Sequence, residues 1–144
     1  MLANARRLSI SLLLVLAVLI LVGCGAGKKK TNIVRGKVTF DGKAVPNGTV
    51  MFVPEDGPTA TGEIQSDGSY TLTTYVPGDG AVAGNYKVVI IAVQDQSNRL
   101  PEDRNPLPPT IVPDRYTSAA TTDLRAEVKE GDNNIDFPLE KEKK

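Results

Sequence analysis

Cys24 is the only cysteine in the chain, and its surroundings predict attachment of a lipid. The thiol follows Leu21-Val22-Gly23, the pattern of a lipobox, at which a bacterial signal peptide is exchanged for a lipid anchor. A basic patch (Arg6 and Arg7) and an apolar stretch from Leu8 to Val22 precede it, as in other secretory signals. The sequence therefore predicts that the signal is removed and that Cys24 becomes a lipidated N-terminus.

Two other interpretations of residues 1–23 stay open. The uncharged run from Leu8 to Gly27 is about long enough for an uncleaved transmembrane helix, which needs roughly 20 residues. A signal that is cleaved without lipidation is the third possibility. The glycine-rich end of the run and the position of Cys24 favour the lipid anchor over both. A lipid anchor or a membrane helix would tether the globular part outside the cytoplasm, which predicts a place in the bacterial cell envelope.

The residues that the chain lacks exclude much of enzyme chemistry. It contains no histidine, so no imidazole base exists for Ser-His-Asp or Cys-His catalysis. Its single cysteine cannot form a disulfide within the chain. A zinc site would have to use carboxylates alone, which is unusual for this metal. We therefore predict no enzyme activity, no cofactor and no metal site.

Two functional alternatives remain beside a non-catalytic binding or structural module. An enzyme that uses paired carboxylates, such as a glycosidase, would need two acids roughly 5–10 Å apart around a cleft. The acidic residues fall mostly in turns or on outward strand positions, which disfavours this. A carrier of a small ligand would need space inside the core, but a core this small is expected to be filled by its own side chains.

The charges predict contact with a membrane surface and not with nucleic acid. The chain has 17 basic and 17 acidic residues, and two basic ones leave with the signal, so the mature chain is slightly acidic. Residues 24–32 are predicted to be the lipidated cysteine and a tether that reaches about 25 Å at roughly 3.3 Å per residue. In it Lys28, Lys29 and Lys30 would each add about 1 kcal/mol of attraction to an anionic surface, or merely keep the spacer soluble.

From Ile33 onward the apolar residues recur at every second position, which is typical of strands with one buried face. Turn residues separate the strands, and no helical period is visible, so residues 33–139 predict a single seven-stranded antiparallel β-sandwich. Phe52 and Val88 are expected in its core, and residues 140–144 form a charged tail with no reason to be ordered. The predicted strands are Val34–Phe40, Thr49–Pro54, Ala60–Ser66, Ser69–Tyr75, Asn85–Val93, Leu124–Lys129 and Ile135–Leu139, with turns at Asp41-Gly42, Asp67-Gly68 and Gly131–Asn134.

The segment from Gln94 to Asp123 has five prolines and no strand pattern. A structureless stretch of this length is uncommon inside a compact domain. It is a functional loop, a mobile loop or a region that hides a short element, for which Thr110-Ile111-Val112 is the best candidate because flanking prolines suit an edge strand.

Several motifs resemble known families. The first set of motifs is Val34–Lys43, Gly48–Pro54 and Ser66–Leu72, and the second is Pro77–Ala81, Gly84–Val88, Ile111–Tyr116 and Glu127–Asn134. The first set resembles carboxypeptidase regulatory-like domains of the transthyretin-like class, and the second resembles small lipoproteins of planctomycete-type bacteria. The resemblance covers nearly all of the mature chain and implies a seven-stranded sandwich anchored by lipid, without a known activity.

Aromatic and basic residues outside the strand cores are the best candidates for a binding surface. Tyr75 ends a predicted strand, while Arg115 and Tyr116 lie in the long loop, as do Arg99 and Arg104. The alternative is that Tyr116 closes the bottom of the sandwich. The predicted function is a non-catalytic envelope module that contacts a protein or glycan through Tyr75, Arg115 and Tyr116.

Other polar and aromatic residues have simpler interpretations. Tyr70 and Tyr86 share strand faces with apolar neighbours and are expected in the core. Asp67-Gly68-Ser69 and Asp79-Gly80 offer oxygens that suit calcium, but such sequences are typical of tight turns. Lys37 is expected on the solvent face, which argues against an internal cross-link to an asparagine.

Overall fold

The computed structural model of the protein describes residues 27–93 and 110–141. The predicted signal peptide, Cys24 and the start of the tether lie outside the described residues, as do positions 94–109, with Arg99 and Arg104, and the last three residues of the tail. Within the described ranges, no helix has the length and apolar character needed to cross a membrane.

The described residues form an all-β structure with one short 3-10 helix. Its strands are β1 (Thr31–Asn32), β2 (Val34–Phe40), β3 (Lys43–Ala44), β4 (Gly48–Pro54), β5 (Ala60–Ile64), β6 (Ser69–Thr71), β7 (Ala81–Val82), β8 (Gly84–Ile91), β9 (Arg125–Val128), β10 (Asn133–Asn134) and β11 (Phe137–Leu139), and the 3-10 helix is η1 (Asp114–Thr117).

The strands are arranged in three sheets. One is antiparallel and has the order β5-β4-β8-β9. A five-stranded sheet is centred on β2, which pairs with β3 and β6 along one edge and with β10 and β11 along the other. Strands β1 and β7 form a small antiparallel pair.

The prediction of seven antiparallel strands is wrong in one important respect. Strands β10 and β11 run parallel to β2, with Asn133 opposite Val34 and Leu139 opposite Phe40. Asn133, predicted to lie in a turn, therefore belongs to a strand. Its side-chain amide closes the actual turn, since it accepts a hydrogen bond from Lys129 N (2.9 Å) and donates to the carbonyls of Lys129 (2.9 Å) and Gly131 (3.1 Å).

The two larger sheets share one hydrophobic core. Phe52 of β4 lies at its centre, with its ring centroid 5.9 Å from that of Phe137 and 6.5 Å from that of Tyr70, both in the β2-centred sheet. The ring of Tyr86 lies 5.6 Å from that of Phe52. The predicted burial of Phe52, Val88, Tyr70 and Tyr86 is thus confirmed. Aromatic rings at these separations attract one another beyond the area that they bury.

The segment predicted to be structureless contains ordered contacts at its described end. Thr110 forms a single bridge with Val93, and Ile111 N donates to the carbonyl of Ala92 (2.8 Å), so Thr110-Ile111-Val112 is not a full strand. The missed element is η1. The predicted tail also makes contacts at its start, where Lys141 Nζ lies 2.7 Å from Asp41 Oδ2.

Gly36 lies at the closest approach of β2 to the C-terminal segment. A Cβ atom there would lie 1.9 Å from the carbonyl oxygen of Ile135 and 3.1 Å from the ring of Tyr70. The Tyr70 hydroxyl donates a 2.6 Å hydrogen bond to that carbonyl. Burial, and secondly the charge of Asp136, raise the pKa of Tyr70, so the hydroxyl stays protonated as a donor. Only a residue without a side chain fits this position.

Gly36→Ala is expected to lower the free energy of unfolding by about 2–4 kcal/mol, because the backbone of Ile135 would have to move. Tyr70→Phe should cost about 1–3 kcal/mol by leaving the Ile135 carbonyl without its hydroxyl donor. Urea denaturation of residues 27–144 measures both. Gly27→Ala is the control, because nothing lies within 4 Å of a Cβ there. Equal stability of the Gly36→Ala and Gly27→Ala variants would contradict the contact.

Candidate functional site

The three residues predicted to form one binding surface lie at opposite ends of the domain. Arg115 Nη2 donates to the carbonyl of Glu140 (2.9 Å), which follows β11 where that strand pairs with the end of β2. Tyr75 lies beside Lys28, and Lys28 precedes β1 and the start of β2 in the chain. The length of β2 is about 20 Å at 3.3 Å per residue. The structure brings Arg115 and Tyr116 together but not Tyr75, because β2 separates the two groups.

Tyr116 and Arg115 form a corner at the end of the domain where β2 stops. Tyr116 lies in η1 and is only 4% exposed. Its hydroxyl accepts a hydrogen bond from Arg115 Nη2, and the guanidinium carbon lies 4.5 Å from the centroid of its ring. This placement favours the alternative in which Tyr116 closes the core, and it leaves the half-buried Arg115 as the residue of the pair nearer to solvent.

A shallow depression lies at the same end of the domain. Its volume is about 390 Å³. The residues that line it come from the end of β2, the described end of the long loop and the C-terminal tail, and they include Phe40, Thr110, Ile111, Pro113, Asp114 and Lys141. The depression offers a mixed apolar and charged surface next to Arg115.

The other end of the domain holds the tether. Thr31 and Asn32, which were predicted to belong to a free spacer, pair with Val82 and Ala81. Asn32 is 6% exposed, and its Oδ1 accepts a hydrogen bond from Gly131 N (2.9 Å). A Cβ at Gly80, whose φ is +82°, would lie 1.8 Å from the carbonyl oxygen of Asn32. The end of the tether is therefore part of the fold.

Residues 74–80, here called the tether loop, are organised by one carboxylate. Asp79 Oδ1 accepts from Thr74 N (2.7 Å), and Oδ2 accepts from the N–H groups of Tyr75 (3.0 Å) and Val76 (3.2 Å). Burial alone would raise the pKa of Asp79, but the three N–H groups together outweigh it and hold the pKa below its usual value of 3.8. The loop presents Val76, which is 54% exposed, beside Tyr75 and Lys28.

Asp67, like Asp79, uses its carboxylate as a hydrogen-bond acceptor in a turn. Asp67 accepts from the N–H (2.9 Å) and hydroxyl (2.6 Å) of Ser69, and those bonds, the hydroxyl first, lower its pKa. The pKa of Asp67 and that of Asp79 are thus both lowered, whereas a general acid needs a raised pKa. In residues 27–93 and 110–141, no three acidic or cysteine side chains lie close enough to hold a metal ion.

Lys37 lies on the solvent face, as predicted. Its ammonium is 3.8 Å from Asp67 Oδ2, and its side chain is 59% exposed. Exposed pairs of this kind contribute little to stability. The side-chain amide of Asn133 is already bonded within its own turn, so the contacts of both residues are those of ordinary surface and turn positions.

Comparison with known proteins adds a structural neighbour. The sequence matches no family model and no curated protein. Among solved structures it is similar to a DUF3823 family protein from Parabacteroides merdae ATCC 43184, with a TM-score of 0.44 and 10% sequence identity. The similarity covers 78% of this chain and 47% of that protein, so the chain spans about half of the neighbour's length.

Replacing Asp79 with alanine is expected to lower the free energy of unfolding at pH 7 by about 1–2 kcal/mol, after allowing for solvent screening. Because the folded pKa lies below the unfolded value of 3.8, this stabilisation is complete above pH 3.8 and is lost as the pH falls through the folded pKa. Urea midpoints of both proteins at pH 7 and below pH 3 measure the effect.

The difference between wild type and Asp79→Ala should shrink in acid, whereas the control Asp132→Ala, at an exposed turn position, should differ little from wild type at either pH. A difference that is the same at both pH values would show that the Asp79 carboxylate does not organise the tether loop.

Proposed function

We propose that this chain is a lipid-anchored, non-catalytic module of the bacterial cell envelope, built as a β-sandwich like the carboxypeptidase regulatory-like domains that it resembles. Lipid on Cys24 would hold it to the membrane, and the domain would bind an envelope protein or glycan. The observation that carries the proposal is the start of the fold at Thr31, only seven residues after Cys24. A lipobox placed so close to a packed domain is what a tethered module requires.

The chemistry of the described residues supports a module that does not catalyse a reaction. The chain has no histidine, and the carboxylates of Asp67 and Asp79 are committed to turns. A glycosidase would need two acids that face each other across a cleft. Asp41 instead faces Lys141, and Glu127 lies 3.8 Å from Lys129 at the surface.

The core supports a module rather than a carrier of small ligands. The rings of Phe52, Tyr70, Tyr86 and Phe137 fill the space between the two larger sheets, with centroids 5.6–6.5 Å apart in the contacting pairs. A ligand would have to displace these rings, at the cost of the packing that stabilises the domain.

The end of the domain that holds Arg115 is the surface that we propose for the partner. It lies across the length of β2 from the tether, so it would face away from the membrane that holds Cys24. The shallow depression beside Arg115 combines the apolar Phe40 and Ile111 with the charged Asp114 and Lys141. Such mixed surfaces are usual in transient protein contacts.

Expression of the full chain in a bacterial host tests the proposal. The membrane fraction should contain a protein that has lost residues 1–23 and carries a diacylglyceryl group on Cys24, as measured by mass spectrometry of the mature N-terminus. The Cys24→Ser control should not be processed in this way, since it lacks the thiol that receives the lipid. The protein isolated from its own envelope should retain a partner protein, or bind a glycan on an array, and lose it in Arg115→Ala.

Three results would contradict the proposal. The first is an intact Met1 on the mature protein, and the second is a Cys24→Ser protein that is processed and localised like wild type. The third is turnover of an envelope glycan that a single Asp or Glu substitution abolishes, which would favour the carboxylate enzyme.

A further inference from the structure

We infer that the tether end of the domain is a membrane-docking surface, in which the tether loop and Lys28, Lys29 and Lys30 rest on an anionic bilayer. The inference depends on the proposed lipid at Cys24 and adds an orientation to it. It commits the domain to one face against the membrane, with the Arg115 end directed away.

The length of the chain between the anchor and the domain limits how far this surface can lie from the bilayer. Three residues separate Cys24 from Lys28, and even a fully extended chain spans no more than about 14 Å over the four steps from Cys24 to Lys28. The ammonium of Lys28 lies 5.5 Å from the centroid of the Tyr75 ring. With Lys28 in this contact, the tether loop lies within reach of the lipid headgroups.

The tether cannot separate from the tether loop without breaking the fold. Thr31 and Asn32 pair with Val82 and Ala81, immediately after the loop ends. Gly80, the last residue of the loop, has its backbone against the carbonyl of Asn32, and Gly80 N donates to the carbonyl of Leu72 (2.9 Å). The tether loop and Thr31–Asn32 therefore form one folded body, and the three lysines directly precede it.

The tether loop presents an apolar residue in a fixed position. Val76 is 54% exposed and is one of two large hydrophobic residues that the described ranges expose, the other being Ile91 on β8. Its N–H is held by the carboxylate of Asp79, and Thr74 Oγ1 donates to the carbonyl of Gly80 (2.6 Å). An apolar side chain next to lysines is the combination that binds the interface of an anionic membrane.

The charges around the loop favour an anionic surface. Lys28, Lys29 and Lys30 are exposed. A neighbouring groove brings two further cations, Lys87 and Arg125, to the same end, along with two acids. Those acids are Glu55 and Asp56, so the tether and the groove together carry five cations against two acids. Glu130 and Asp132, which flank Gly131 beside Asn32, lie at the same end, and the carboxylate of Asp79 accepts from three N–H groups.

The orientation is tested with the mature, lipidated protein in vesicles of phosphatidylcholine, with or without phosphatidylglycerol. Because Cys24 would carry the lipid as a thioether, Val76→Cys supplies the only free thiol for a spin label. Glu140→Cys supplies the matched label at the opposite end. Relaxation of each label by oxygen and by a water-soluble nickel complex reports contact with lipid or with water.

The Val76 label should contact lipid in anionic vesicles and the Glu140 label should stay in water. Replacing Lys28, Lys29 and Lys30 with glutamine should lower the ratio of docked to undocked protein about fivefold per lysine, and 1 M salt should act similarly because it shortens the screening length to about 3 Å. The control set Lys37→Gln, Lys43→Gln and Lys141→Gln removes the same charge elsewhere and should leave docking unchanged.

Three other results would overturn the inference, and each of them identifies the part that fails. A Val76 label that stays in water while Cys24 carries its lipid overturns the docking surface and leaves the anchor standing. Equal shielding of the Val76 label in anionic and neutral vesicles overturns the role of the anionic surface. A protein that is not retained on vesicles because Cys24 lacks lipid overturns both the docking surface and the proposed anchor.

Discussion

The close contact between Gly36 and the carbonyl of Ile135 is the constraint on which the rest of the structure depends. It lets the C-terminal segment lie directly against β2, where the Tyr70 hydroxyl satisfies the carbonyl and Asp136 Oδ1 accepts from Lys37 N (2.8 Å). This packing of the C-terminal segment against β2 brings Phe137 and Leu139 into the core. Without that strand the aromatic centre around Phe52 would be open on one side.

The same arrangement makes β2 the axis between two different ends of the domain. At its start, Asn32 connects the tether to the turn after β9 through Gly131 N, and Gly80 packs on the Asn32 carbonyl. At the end of β2, the C-terminal strand places the carbonyl of Glu140 within hydrogen-bond distance of Arg115. A single central strand therefore sets the distance between the end that we assign to the membrane and the end that we assign to a partner.

Much of the fold follows from the sequence, but the pairing does not. Alternation correctly predicted β2 at Val34–Phe40, and the Asp67-Gly68 turn and the buried Phe52 were also correct. The alternation of apolar and polar residues carries no information about strand direction, so the parallel course of Asn133–Asn134 could not be inferred. Two-residue strands such as β1 are too short to show an alternation. The separation of Tyr75 from Arg115 depends on these pairings, so the sequence could not show that the two residues lie at different ends of the domain.

With lipid on Cys24, the fold would begin at the membrane, with no long free spacer. Neutron reflectometry of the mature lipidated protein on a supported bilayer that contains phosphatidylglycerol measures this most directly. We predict that protein density starts at the headgroups, because Thr31 and Asn32 are part of the domain. A water layer about 25 Å deep between the headgroups and the protein, the reach of a fully extended tether over residues 24–32, would contradict this placement of the domain.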